Sequence, residues 1–238
     1  SYAQNMLLGK IFNCRWCLER TLRDHRLRVN SDKIREISLE LKEGINQIKR
    51  AENMDSLRGI EGKLAERYFS VFDELIINQK VQFSFTNRSR RPPLDRVNAL
   101  LSFSYTILAG DCANALKSVG LDPYVGFLHR DRPGRKSLAL DVVEELRACM
   151  ADRFVLTLIN KKVVNEDCFV CQKDGAVLLN DKGRKAFFTA WQSHKKEKIT
   201  HPFLNEKIEW GLVPYVQSLL LARTIRGDLE EYPPFFWK

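Results

Sequence analysis

The stretch DRVNALLSFSYTILAGDCANALKSV, from about Asp95 to Val119, is apolar almost all the way round a helical wheel and stops at Gly120, a natural C-cap residue. A helix without a polar face has to be wrapped by other elements, so this one is expected to be the central, buried helix of the fold. Its neighbours read mostly as helices too. Leu8, Ile11, Leu18 and Leu22 give a first one. After the basic link RDHRLRVN, a cap at Ser31 starts a second, with Ile34, Ile37, Leu41, Ile45 and Ile48 at spacings of three and four, and the two make a helical hairpin over 1–50. A third is expected from near Ser56 to about Ile77, a fifth from about 137 to 151 with Ser137 as its cap, another in KGRKAFFTAWQSHKK, and a last one from about 205 to 226 kinked at Pro214. Only NKKVVNEDCFVCQKDGAVLLN breaks the helical pattern, with β-branched and aromatic residues flanking the turn signal Asp174-Gly175. The fold class is therefore mainly α, multi-helical, with one small β-hairpin near 160–180.

At 238 residues and 44% hydrophobic content the chain can bury a sizeable core, as one large domain or one with a small appendage. No apolar run approaches the roughly 18 residues of a membrane span, and no signal-peptide pattern opens the chain. It reads as soluble and cytoplasmic, with no membrane partner. The start at Ser1, with the helical pattern already under way, is the look of a piece of a longer protein. A net charge of +9 points to a polyanionic partner, nucleic acid first among them. The pairs Cys14/Cys17 and Cys168/Cys171 have the spacing of zinc half-sites, but the first lies inside a helical pattern and the second in a strand pattern that sends its thiols to opposite faces. Neither has the Gly or Pro turn of a zinc knuckle, and reduced thiols are expected.

Chemistry is carried by a few polar residues in apolar places. In RGIEGKLAERYFSVFDELI, Ile60, Leu64, Tyr68, Val71, Phe72 and Leu75 define an apolar face, and Glu61 falls within it. A carboxylate there needs a partner: an arginine, a hydrogen-bond cluster or a metal. Gly59 and Gly62 bracket it and leave its backbone open to close approach. In GFLHRDRPGRKSLALDVVEELR, Leu138, Ala139, Val142, Val143, Leu146, Cys149 and Met150 fill one arc, with Asp141, Glu144 and Arg147 opposite. On this segment alone the acids read as a solvated face and His129 as a core histidine. Taken with Glu61, however, His129, Glu144 and Asp141 make a mixed nitrogen and oxygen set suited to Mn²⁺ or Mg²⁺.

The segments RGIEGKLAERYFSVF, RSRRPPLDRVNALLSFSYTIL, GLDPYVGFLHRDRPGRKSLALDVVEELR and HPFLNEKIEWGLVPYVQSLLLARTIRGDLEEYPPF together resemble the CRISPR-associated adaptation integrase, the Cas-one family, and look most like its type I-C branch. The resemblance spans nearly the whole chain. It implies the family's α-helical catalytic domain, with 1–50 as its lead-in and 51–238 as its catalytic body, and without the N-terminal β-sandwich that the family carries. It further implies a metal held by Glu61, His129 and Glu144, with Asp141 assisting catalysis, and phosphoryl transfer in which 3′-hydroxyls of a captured DNA attack phosphodiesters at the borders of a CRISPR repeat. Arg88, Arg90, Arg91 and Tyr105 are the implied DNA contacts. The implied partners are protospacer and repeat DNA, a small Cas-two family protein and a second copy of the chain. Two other classes stand beside this one: a basic helical scaffold that binds DNA or protein without chemistry, in which Glu61 pairs with an arginine, and a general metal-dependent nuclease.

Overall fold

The all-round apolar segment forms α4, Arg96–Ser118, whose first turn is capped by the Asp95 carboxylate accepting from Asn98 N. In the computed structural model, which describes residues 1–130 and 132–238, Val97, Leu100, Leu101, Leu108, Cys112 and Leu116 of this helix are buried. It shares the centre with α1, Tyr2–His25, which packs against α2 (Ser31–Arg50), α3 (Met54–Ser70) and α5 (Ser137–Leu146). The buried side of α1 is not purely apolar: Asn5, Lys10 and Asn13 lie on it among Met6, Leu7, Ile11 and Cys14. The remaining helices are α6 (Arg153–Asn160), α7 (Asp181–Lys195) and α8 (Val213–Ile225). Among the described residues no helix is long and apolar enough to cross a membrane.

Several expectations are corrected. Helix α3 starts at Met54 behind an Asn53 cap and stops at Ser70, after which Phe72–Leu75 form a 3₁₀ turn that keeps Phe72 and Leu75 buried. Helix α5 does not run on to 151 in α form. It gives way at Arg147–Asp152 to a π-helical turn before α6 resumes, and its Ser137 hydroxyl donates to Arg130 O instead of capping the helix. The sheet content is two hairpins and not one. The expected one pairs β1 (Phe169–Cys171) with β2 (Val177–Leu179), and a second pairs β3 (Lys198–Thr200) with β4 (Lys207–Glu209). The last helix is correspondingly shorter. Pro214 does not kink it but lies in its first turn, where a missing N–H leaves no bond unmade.

The closing segment YPPFFWK is strapped across α1, α5 and α8. Asn5 Nδ2 donates to Tyr232 O at 2.8 Å, Asn13 Nδ2 to Phe235 O at 2.8 Å, and Trp237 N to Asn13 Oδ1 at 2.9 Å. Under the strap lies the buried Glu145, whose carboxyl accepts from Phe235 N (2.9 Å), Gln217 Nε2 (3.2 Å) and the Tyr232 hydroxyl. Burial outweighs these bonds and lifts the Glu145 pKa from 4.5 to about 7. The folded state thus binds a proton that the unfolded chain releases near pH 4.5, so this contribution to stability is full below that pH and lost as the pH rises towards 7. Thermal unfolding followed over that range should show Tm falling with rising pH, and Glu145→Gln should flatten the slope.

Two glycines test the packing in opposite directions. A Cβ at Gly183, in the first turn of α7, would lie 2.2 Å from the Cys168 carbonyl oxygen, whereas one at Gly59, inside α3, would meet nothing within 4 Å. Gly183→Ala should therefore destabilise by roughly 1–3 kcal/mol. Gly59→Ala should stabilise by about 0.5–1 kcal/mol in the same denaturation experiment.

Candidate active site

Two of the acids that the sequence places in apolar surroundings meet at one ammonium, and the histidine lies beside one of them. From α3, Glu61 reaches Lys10 Nζ of α1 with Oε1, and from α5, Glu144 Oε2 lies 2.6 Å from the same nitrogen. Lys10 is 4% exposed. Burial works to lower its pKa, but Glu144 and Glu61, set against Arg147, leave it raised, so the ammonium stays charged. For Glu144, burial works upward and is overcome by Arg147 and Lys10, which pull the carboxyl down to about 2. The Arg147 guanidinium grips Glu144 Oε1 at 2.6 Å. Glu144 Oε2 is buried and, despite its closeness to the ammonium, is not in hydrogen-bonding geometry with it or with any other described group.

His129 arrives from the loop between α4 and α5, and that loop is pinned on both sides. Asp141, fully buried, accepts from Phe127 N (2.6 Å), Leu128 N (2.9 Å) and His129 N (3.0 Å), while Arg58 of α3 donates to Leu128 O at 2.8 Å. Asp141 Oδ1 also lies 2.5 Å from His129 Nδ1. A proton on Nδ1 shared with the carboxylate leaves the lone pair on Nε2, which sits 3.8 Å from Glu144 Oε1. Asp141 thus orients the histidine and does not face the point where the other acids meet. The reading of Asp141 and Glu144 as a solvated face is overturned: they are 0% and 4% exposed, because α1 and the 126–130 loop cover that side of α5.

The π-helical turn sets up the neighbouring layer. Residues five apart in an α-helix point roughly 140° from one another, whereas a π turn brings them closer to one side. Arg147 and Asp152, at its two ends, accordingly both meet Tyr105 of α4. The guanidinium lies 4.7 Å from the ring centroid, and the Tyr105 hydroxyl donates to Asp152 Oδ1. Burial lifts Asp152 to about 6 against the opposing Tyr105 hydrogen bond and Arg147 charge. The expected DNA contacts divide. Arg88 turns inward, bonding Asn98 Oδ1 at 2.5 Å and Ser102 Oγ at 3.1 Å with its charge 5.3 Å from the Tyr105 ring centroid, while Arg90 and Arg91 are exposed. Tyr105 itself is half-buried and committed to these inward contacts.

Two residues of this cluster were not singled out in the sequence. Lys10 carried a signal: it lies on the buried face of α1 between Met6, Leu7 and Cys14, where a lone ammonium needs an acid, just as Glu61 needs a base on α3. Arg147 was placed on the wheel but assigned no partner, although Glu144 precedes it by three residues on the same helix side.

Comparison with known proteins agrees with this architecture. The family model for CRISPR associated protein Cas1 matches residues 1–193. The chain belongs to the Cas1 family. It is 50% identical over 243 residues to CRISPR-associated endonuclease Cas1 2 of Rhodospirillum rubrum, covering 99% of this chain and 70% of that protein. It is 47% identical to CRISPR-associated endonuclease Cas1 of Leptospira interrogans, covering 99% of this chain and 92% of the relative. Among solved structures, a casposase bound to integration product overlays with a TM-score of 0.85 at 23% identity. That overlay covers all of this chain, which spans 64% of the casposase. A Cas6-RT-Cas1–Cas2 complex overlays with a TM-score of 0.82 at 24% identity over 99% of this chain and 24% of that one. At these identities the likeness is one of fold.

Asp141 offers a test of the site's construction. An amide at this position cannot accept the four N–H groups that the carboxylate gathers, so Asp141→Asn should cost about 1–3 kcal/mol in denaturant unfolding.

Proposed function

We propose that this Cas1-family chain is a metal-dependent DNA integrase and endonuclease of CRISPR adaptation, of the type I-C branch, that joins new spacer DNA to the array by attack of 3′-hydroxyls on repeat-border phosphodiesters. The observation that carries the reading is that Glu61 and Glu144, from two separate helices, share the buried Lys10 ammonium, while His129 Nε2 lies 3.8 Å from Glu144 Oε1. The names of its relatives, endonucleases in Rhodospirillum rubrum and Leptospira interrogans, support the same chemistry. The Cas1–Cas2 complex among its structural neighbours supports a Cas2-family partner, and the net charge of +9 supports protospacer and repeat DNA as substrate. A paired copy of the chain completes the proposed assembly.

The donor set fits a divalent cation. Two carboxylates and an imidazole nitrogen are the hard and borderline ligands that Mn²⁺ and Mg²⁺ accept, histidine favouring Mn²⁺, and Glu144 Oε2 already meets a cation, the Lys10 ammonium at 2.6 Å. As the side chains stand, no three His, Cys, Asp or Glu among the described residues close on a single point, and the Lys10 ammonium lies between the two carboxylates. Glu61, Glu144 and His129 Nε2 would hold the ion, which supplies Lewis-acid polarisation of the phosphoryl oxygen and lowers the pKa of the attacking hydroxyl. The protein's own part is orientation. Asp141 sets the His129 tautomer and ring angle, Arg147 fixes Glu144, and Tyr105 with Asp152 fixes Arg147. Arg90 and Arg91, exposed on the loop before α4, hold DNA phosphates.

A second reading, a DNA-binding scaffold without chemistry, is favoured by one observation: Glu61 is already paired with a cation. Strand transfer of a labelled branched DNA separates the two. The integrase reading expects activity with Mn²⁺ or Mg²⁺ that is lost in EDTA and in His129→Ala while DNA binding is retained. Activity unchanged in His129→Ala, or tight binding with no metal-dependent product, would sustain the scaffold instead.

A further inference from the structure

A lysine inside the acidic cluster has a consequence for how the site loads. Lys10 Nζ is in contact with Glu61 Oε1 and 2.6 Å from Glu144 Oε2, so it holds the positions between two of the three groups expected to bind the metal. A divalent ion and an ammonium cannot both occupy that space. Nor can the lysine simply swing into water, since it is 4% exposed and its helix is packed on α2, α3 and α5. A displaced ammonium in such a place needs a new anion. The nearby described carboxylates offer none that is free: Asp141 is filled by three backbone N–H groups and His129, and Asp152 by Tyr105. In a site for phosphoryl transfer, the anion that arrives is the DNA phosphodiester.

We propose that Lys10 is a tethered counter-cation that competes with the divalent ion for Glu61 and Glu144 and is handed to the DNA phosphate when the metal enters. This rests on the metal-dependent reading above and deepens it. The lysine keeps the two carboxylates together and compensated while no metal is present. It weakens metal binding until DNA supplies a replacement partner, so metal and DNA bind with positive cooperativity. The arrangement restricts full loading to the moment when substrate is in place.

The test is metal affinity and not turnover. Mn²⁺ binding is measured by electron paramagnetic resonance on the wild-type chain, Lys10→Met, Lys10→Gln and Glu61→Gln, each with and without a duplex oligonucleotide. Removing the competitor should tighten Mn²⁺ binding by the neutral variants about tenfold or more without DNA, an effect of the size that groups around metal ligands exert. DNA should tighten Mn²⁺ binding by the wild-type chain and have little effect on that of the variants. Neutral variants that bind Mn²⁺ no more tightly than the wild type, with Glu61→Gln still abolishing binding, would overturn the role of Lys10 and leave the metal site standing. Binding too weak to detect in every protein, indifferent to Glu61→Gln, would overturn both. Should the neutral variants fail to fold, the ¹⁵Nζ resonance of Lys10 in the wild-type chain answers the same question. It should move on titration with diamagnetic Mg²⁺, with the same midpoint as binding, and a resonance unmoved at saturation would refute displacement.

Discussion

One buried ammonium ties this fold together. Lys10 reaches from α1 to Glu61 of α3 and Glu144 of α5, so three helices far apart in sequence are joined through a charge sealed off from water. Such a cluster is costly to desolvate and costly to break, because removing any one member leaves its partners buried and unmatched. Around it the structure adds further restraints: Arg147 on Glu144 within one turn, Asp141 on His129, and Arg58 of α3 on the loop that carries the histidine. The result is that Glu144 and His129 are held in place before any ligand arrives.

The helical architecture was legible because apolar periodicity was strong. The all-round apolar character of 95–119 announced its burial, and the caps at Asn53 and Asp95 lay within two or three residues of the boundaries read from pattern. What escaped were elements whose signals are short or non-local. Strands β3 and β4, three residues each, carry too little alternation to compete with the helical pattern that follows them. The π-helical turn at 147–152 leaves no trace in composition, and the contacts it brings about, Arg147 and Asp152 both on Tyr105, are tertiary ones. The candidate site was half legible. Glu61 stood out as an acid in an apolar stripe, but a wheel cannot distinguish a face turned to solvent from one covered by another charged layer. Asp141 and Glu144 were therefore read as surface on their own segment, and Lys10 passed as an ordinary lysine.

The arginines show how one basic chain divides its charge. Arg88 and Arg147 flank the Tyr105 ring and are bonded to neutral or acidic partners within the protein, while Arg90 and Arg91, two and three residues further along from Arg88, remain free to meet solvent. A net charge counts these alike. The first pair shapes the interior, and the second is placed to meet a polyanion directly.

The aromatic strap at 232–237 is held chiefly by main-chain groups bonded to side chains of Asn5, Asn13, Glu145 and Gln217, and by rings sunk into the core. That is how a receptor binds an extended peptide. Residues 226–231, which connect α8 to the strap, are exposed apart from the half-buried Leu229, and of them Glu231 accepts from Asn5 Nδ2 at 2.9 Å. The fold therefore contains an intramolecular ligand and the groove that recognises it, separable at a short surface linker, and the heptapeptide YPPFFWK supplied in trans would reconstitute a chain cut there.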